Sequence, residues 1–167
     1  MDTHPIFTKR PLSLVTRLSW ITALLVAAAS LAGLLLPSVF YPAEEFRRAY
    51  LTNDVINLVI GVPILLGSMA LARRGRLLGL LFWPGAFLYV IYNSIAYAIG
   101  MPLTLPFVLN LALIILGVYG IWQLLAGMDA AALRERLQGR VAERFNGGAL
   151  VFFGVLIALL AVNEFAG

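Results

Sequence analysis

The chain has 167 residues, of which 62% are hydrophobic and 12% charged, and its formal net charge is +4. Soluble domains are about half apolar and a quarter charged, so a water-soluble fold of this length could not bury so much apolar surface. The excess must face lipid. The chain contains no cysteine, and its only histidine is His4, which excludes disulfides, thiolate chemistry and histidine-pair haem or zinc sites within the chain. We therefore expect no cofactor and no metal.

Five segments are long and apolar enough to cross the hydrocarbon core, which takes about 20 helical residues. In chain order they are residues 18–36, 54–72, 77–100, 105–126 and 149–165. The first is longer than the apolar core of a signal peptide, so we expect it to be retained. Pro63 and Pro84 lie inside spans and predict kinks. The predicted fold class is all-α, a single membrane domain that forms a bundle of five transmembrane helices.

Two connections between the spans are expected to have structure of their own. Residues 41–50 predict a short outer helix, with Pro42 in its first turn and aromatic residues suited to the headgroup level. Residues 129–145 predict a basic helix on the cytoplasmic surface. Its leucine, valine and phenylalanine residues recur every four positions, which favours contact with the membrane, although a solvated connector is the better interpretation.

The distribution of lysine and arginine predicts the orientation. If there are five spans, ten of these residues fall on the side of the N-terminal tail and only Arg47 and Arg48 fall on the other. Positive residues in short loops stay in the cytoplasm, so the N-terminus is expected inside and the C-terminus outside. The net positive charge then reflects membrane topology and attraction to anionic lipids, and it does not indicate binding of nucleic acid. We expect location in the cell membrane (the inner or plasma membrane).

Polar side chains concentrate in the outer halves of the predicted spans. Helical spacing places them on single faces, which we expect to turn toward each other and to wall a pocket. The predicted ligand-binding residues are Asp54, Asn57, Tyr89, Tyr92, Asn93 and Asn110. Tyr97 is expected to be an interfacial anchor, as are Trp20, Trp83 and Trp122. Small residues on the same faces would allow the helices to approach closely.

Two carboxylates are candidate catalytic groups, Asp54 and Glu164. Carboxylates within the membrane are costly and usually serve a function. For Asp54, however, a structural role at the start of a helix is slightly favoured, because Thr52 or Asn53 could cap that helix and an acidic first turn suits its dipole. Glu164 lies near the end of the last span, and its functional role depends on facing Asp54. If both line one cavity, they supply an acid and a base.

The other polar residues have a simpler explanation. Asn57, Asn93 and Asn110 are adequately explained as hydrogen bonds between helices, worth about 0.6–2 kcal/mol each. The basic turn at residues 73–76 could bind an anionic headgroup, but orientation alone accounts for it. Phosphate loops, nucleophile elbows and metal motifs are absent from the sequence.

Two runs of sequence carry a resemblance. Residues 51–75 (LTNDVINLVIGVPILLGSMALARRG) contain an acidic residue that opens a span, a mid-span proline and a final basic glycine turn. Residues 83–93 (WPGAFLYVIYN) begin a tyrosine-rich next span. Over residues 51–100 the chain resembles a group of small, uncharacterised prokaryotic multi-span membrane proteins. The resemblance implies a multi-span helical fold and no particular activity. Related chains continue beyond the position of Glu164, which leaves the native C-terminus and span count open.

Three functional hypotheses follow. The first is binding or carriage of a lipid-like or small amphipathic molecule in the outer pocket, since such sites are mostly apolar with a few convergent polar groups. The second is an intramembrane enzyme that uses Asp54 with Glu164 or a tyrosine as acid and base. The third is a structural subunit whose polar faces meet a second copy or a partner chain. A channel is disfavoured because no continuous polar stripe crosses the inner half.

Overall fold

The computed structural model of the protein describes residues 9–41, 43–100 and 103–137. Every regular element in these ranges is a helix, which confirms the all-α prediction for this part of the chain. The elements are α1 (Lys9–Leu35), α2 (Pro37–Phe40), α3 (Glu44–Ile56), a π-helical turn (Asn57–Gly61), α4 (Val62–Arg73), α5 (Leu77–Gly100), α6 (Leu105–Ala126) and α7 (Ala130–Leu137).

Four helices are long and apolar enough to cross a membrane. They cover Leu12–Leu35, Tyr50–Arg73, Leu77–Ile99 and Leu105–Ala126, close to the first four predicted spans. Large apolar side chains are exposed on all four, for example Leu24, Val59, Leu88 and Ile115. An apolar surface of this extent requires a nonpolar solvent, as expected of a multi-pass membrane protein. The fifth predicted span, residues 149–165, lies outside the described residues.

The long helices pack as a ring, in which each contacts two neighbours. Helix α5 packs between α4 and α6, and α1 closes the ring by packing against α6 on one side and against α3 and α4 on the other. All of these helices belong to one compact unit, Ile6–Met128. Helix α7 belongs to a second unit. The Asp129 carboxylate accepts hydrogen bonds from the backbone N–H groups of Ala131 and Ala132 and so caps α7.

The second span differs from the prediction in where its helix begins. Instead of a separate helix over residues 41–50, helix α3 begins at Glu44 and continues through the π-helical turn into α4. The π-helical turn directly precedes Pro63, and the Val62 N–H bonds to the Asn57 carbonyl, five residues back. Proline lacks a backbone donor, and a local π-helical turn accommodates that loss. As a result Asp54 lies well inside a helix and not in its first turn.

The interior of the bundle contains a tryptophan that the sequence assigned to the membrane surface. Trp83 is 0% exposed, and its indole N–H donates to the Ser19 hydroxyl at 2.8 Å. The Ser19 hydroxyl in turn donates to the Val15 carbonyl at 2.9 Å. The prediction of an interfacial anchor was wrong for Trp83, because a tryptophan in lipid can bury its ring between helices when the N–H finds a partner. Trp122, by contrast, is 68% exposed.

Candidate functional site

The site is built around the carboxylate of Asp54, which is only 2% exposed. The Tyr41 hydroxyl donates to Oδ2 at 2.6 Å, and the Tyr97 hydroxyl donates to Oδ1 at 3.0 Å. The Ser30 hydroxyl also hydrogen-bonds the carboxylate. Both oxygens therefore accept hydrogen bonds from hydroxyl groups. The structural role at a helix start that the sequence favoured for Asp54 was wrong, because α3 begins at Glu44 and Asp54 is not in its first turn.

Tyrosine rings cover the carboxylate. Tyr41 lies in the connection between α2 and α3 and is buried. Its ring stacks on Tyr50 with centroids 5.2 Å apart, and Tyr50 lies 4.5 Å from the ring of Tyr97. Burial, and then the hydrogen bond to Asp54, raise the pKa of the Tyr41 hydroxyl. Tyr41 therefore keeps its proton at physiological pH and remains a donor to Asp54.

Helix α1 approaches this cluster through a glycine. A Cβ atom at Gly33 would collide with Asp54 Oδ2 and would lie 2.6 Å from the Tyr41 hydroxyl oxygen. Any larger residue at position 33 would push the two hydrogen-bonded groups away from α1. Gly33 therefore permits the close contact between α1 and the carboxylate.

Three buried asparagines extend the site along the helices. The Asn93 side-chain N–H donates to the Tyr89 carbonyl at 3.2 Å, while Asn93 Oδ1 accepts from the Asn53 side chain at 2.9 Å. Asn57 Oδ1 accepts from the Tyr89 hydroxyl at 2.9 Å. Asn110 donates to the Pro106 carbonyl at 2.8 Å. Asparagine carbonyl oxygens have two lone pairs, so these groups retain accepting capacity.

Together these side chains surround a small cavity, which we call the Asp54 cavity. Its open volume is about 30 Å³. Its walls come from α1, α3, α5 and α6 and from the Phe40–Tyr41 connection. The polar lining residues are Ser30, Tyr41, Asp54, Asn57, Asn93, Ser94, Tyr97 and Asn110. Of the lining residues in the described part of the chain, Asp54 alone is charged.

The structure brings together most, but not all, of the residues predicted for the ligand pocket. Asp54, Asn57, Asn93 and Asn110 line the cavity. Tyr89 lies beside it, since its hydroxyl bonds Asn57 while its ring lines a separate groove. The prediction was wrong for Tyr92, which is 72% exposed and lies on another face of α5. Glu164, the second candidate acid, lies outside the described residues.

Several residues of the site were missed by the sequence analysis. Tyr97 belongs to the site and is not an interfacial anchor, and the signal for this is that it lies one helical turn after Asn93 on the same face. Ser30 and Gly33 belong to a stripe on α1 in which every member is buried: Val15, Ser19, Thr22, Val26, Ser30 and Gly33. Small and hydroxylated residues at this three- and four-residue spacing in an apolar span were the available signal. Tyr41 gave no such signal, because it lies outside the long helices.

The described residues hold no group of three or more histidine, cysteine, aspartate or glutamate side chains that could bind a metal ion. Comparisons of the chain with protein-family models, with curated proteins and with solved structures found no match. The chemistry of the Asp54 cavity is therefore the basis for a functional proposal.

Proposed function

We propose that this protein binds or carries a lipid-like or small amphipathic molecule whose polar end enters the Asp54 cavity. The observation that supports this most strongly is a buried carboxylate in a partly open cavity within a membrane bundle. A carboxylate in such a place is costly, so it is retained where a ligand or a reaction uses it. A cavity lined by apolar groups and a few convergent polar groups is typical of small-molecule sites.

The hydrogen-bond pattern specifies the polar end of the ligand. The hydroxyls of Tyr41 and Tyr97 donate to Asp54, and the amides of Asn93 and Asn110 donate to backbone carbonyls. Both tyrosine hydroxyls and one N–H of each of these amides are thus directed to the protein, whereas the carboxylate and amide oxygens retain capacity to accept. Among the described residues that line the cavity, none is a lysine, an arginine or a histidine. A hydrogen-bond donor with a positive charge complements such a site, and an anion does not.

The size of the cavity restricts the polar end further. A water molecule needs at least about 10–15 Å³ of such volume, so the open volume of about 30 Å³ admits roughly two water-sized groups. A primary ammonium group, which has one heavy atom, fits a space of this size better than a phosphate or a quaternary ammonium group does. The proposed ligand is therefore an amphipathic primary amine.

We also propose the location and direction of the bundle. Arg73, Arg74 and Arg76 are exposed between α4 and α5, at the end of the bundle opposite the Asp54 cavity. If these arginines are cytoplasmic, the N-terminus is inside, the cavity lies in the outer half of the cell membrane, and residues 149–165 form a fifth span that ends outside.

Cysteine labelling tests this orientation, because the chain contains no cysteine of its own. Leu103→Cys and Arg74→Cys place single thiols at exposed positions at opposite ends of the bundle. A membrane-impermeant maleimide should label Leu103→Cys in intact cells and Arg74→Cys only after permeabilisation. Labelling of Arg74→Cys in intact cells would contradict the proposed orientation.

Substitution of the carboxylate tests the binding proposal. Asp54→Asn preserves the shape of the side chain but removes its charge. We expect dodecylamine to bind at least about 30-fold more weakly to this variant in lipid nanodiscs, since loss of one member of a buried charge pair costs about 2 kcal/mol or more. Dodecanol, which is neutral, should bind wild type and Asp54→Asn equally. Native mass spectrometry measures the bound fraction of each compound.

Glu44→Gln is the matched control, because it makes the same acid-to-amide change at an exposed position on α3. It should bind dodecylamine as wild type does. Equal binding of dodecylamine by wild type and by Asp54→Asn, with both proteins folded, would contradict the proposed function.

An intramembrane enzyme remains the second candidate, and the 2.6 Å hydrogen bond between Tyr41 and Asp54 favours it. A base and an acid in direct contact are the minimum for proton transfer to and from a substrate. Recovery of a chemically altered amine after incubation with wild type, but not with Asp54→Asn, would support it. A structural subunit is less well supported, since Asn57, Asn93 and Asn110 are buried in the bundle and do not face outward.

A further inference from the structure

A second recess lies on the lipid-facing side of the bundle, between the π-helical turn with α4 on one side and α5 on the other. We call it the Tyr89 groove. Its volume is about 280 Å³. Its floor consists of small residues, Gly61, Gly85 and Ala86, and its rims consist of Ile60, Ile64 and Phe82, all of which are exposed. The groove is therefore apolar and accessible from the membrane interior.

Two hydrogen-bonded side chains, those of Tyr89 and Asn57, separate the two recesses. The ring of Tyr89 lines the groove, and its hydroxyl donates to Asn57 Oδ1, which lines the Asp54 cavity. The Tyr89 carbonyl accepts a hydrogen bond from Asn93, a second residue of the cavity wall. The Tyr89 ring also packs directly on Gly61, where a Cβ atom would lie 2.7 Å from the ring. Tyr89 therefore lies between the apolar groove and the polar wall of the cavity.

We propose that the Tyr89 groove holds the hydrocarbon chain of the amine whose head binds Asp54, with the chain passing Tyr89. This inference rests on the proposed function and names its ligand class as long-chain primary amines. The Asp54 cavity is too small for more than the head, so the chain needs a separate site. The groove provides this site beside the cavity wall formed by Tyr89 and Asn57. Its apolar lining matches the polarity of a hydrocarbon chain. Because the groove opens to lipid, the ligand can enter from the bilayer.

The chain offers a variant that fills the groove without disturbing the bundle. A Cβ atom at Gly85 has no neighbouring atom within 4 Å, so Gly85→Leu extends a side chain into the groove and clashes with nothing at its base. Gly67 on α4 is the matched control. A Cβ atom there also meets nothing within 4 Å, and Gly67 is exposed but does not line the groove.

The test uses a dodecylamine with a photoreactive diazirine at the end of its chain, added to protein in lipid nanodiscs. In wild type, cross-links should map to the groove rims at Ile60, Ile64 and Phe82 and should be competed by unlabelled dodecylamine. Gly85→Leu should reduce this labelling about tenfold, the loss expected if two methylene groups are no longer buried. Gly67→Leu should leave it unchanged. Butylamine, which is too short to need the groove, should protect Asp54 from a carbodiimide equally well in wild type and Gly85→Leu.

The outcomes separate this inference from the function on which it rests. If Asp54→Asn loses binding of dodecylamine but Gly85→Leu labels as wild type does, the head site stands and the groove assignment is overturned. Cross-links spread around the whole lipid-facing surface would overturn it as well. If Asp54→Asn labels the groove as strongly as wild type, head recognition by Asp54 is overturned, and the two-part site falls with it.

Discussion

Trp83→Ala should destabilise the bundle by about 3–5 kcal/mol, the usual cost when a buried tryptophan is replaced by alanine. Trp83 lies on α5 and is 0% exposed, and its N–H donates to Ser19 on α1. Removal of the indole leaves a cavity and deprives the Ser19 hydroxyl of its donor. Thermal unfolding in detergent micelles, followed by size-exclusion chromatography, should show a lower Tm and a smaller monodisperse fraction.

Trp122→Ala provides the control for this prediction, because Trp122 is 68% exposed on the outer surface of α6. Its replacement should change the free energy of unfolding by no more than about 0.5 kcal/mol. The burial of Trp83 would be contradicted if the two alanine variants unfold at the same temperature.

Gly79→Ala is expected to have the second large effect, because two backbones approach each other at this position. A Cβ atom on Gly79 would collide with the backbone nitrogen of Ala72 and would lie 2.6 Å from the Leu71 carbonyl carbon. Backbone atoms in a helix cannot move aside as the end of a flexible side chain can. We expect α4 and α5 to be forced apart at a cost of about 3 kcal/mol or more, at the upper end of overpacking.

Gly67→Ala makes the same change in α4, where the new methyl group meets nothing within 4 Å. It should be neutral or stabilising by about 0.5 kcal/mol, since alanine favours a helix over glycine. The same thermal unfolding assay compares the two variants. An unchanged Tm for Gly79→Ala would show that the two helices do not make the described contact.

The sequence predicted the positions of the helices better than the directions of individual side chains. The apolar segments predicted the four long helices and placed the end of each to within one residue, because the thickness of the hydrocarbon core fixes how many apolar residues a span needs. The first two helices begin nine and ten residues before the predicted spans, at Lys9 and Glu44. The direction of a single side chain depends on which face of its helix packs against the neighbouring helices. Tyr92 and Tyr97 are five residues apart on α5, about 140° around the helix, so only one of them can face Asp54. The packing of α5 against its neighbours places Tyr97 there and leaves Tyr92 exposed.

The surroundings of Asp54 were also not predictable from the sequence. The sequence favoured a helix start close to Asp54, where a carboxylate is easily explained. The helix begins ten residues earlier, at Glu44, and this removes the explanation. The start of a helix within a mixed polar segment depends on contacts formed in the folded protein, here the burial of Tyr41 against α3 and α5.

By itself the sequence determined that this protein is helical and resides in a membrane, because apolar length and scarcity of charge are properties of the chain and need no partner. It also determined that polar residues gather at the end of the bundle away from the Arg73–Arg76 turn. Only the tertiary structure decided that a carboxylate from α3, hydroxyls from three separate segments and amides from three helices surround one small cavity. Such groups meet because helix packing selects one face of each helix, and that choice depends on all neighbours together.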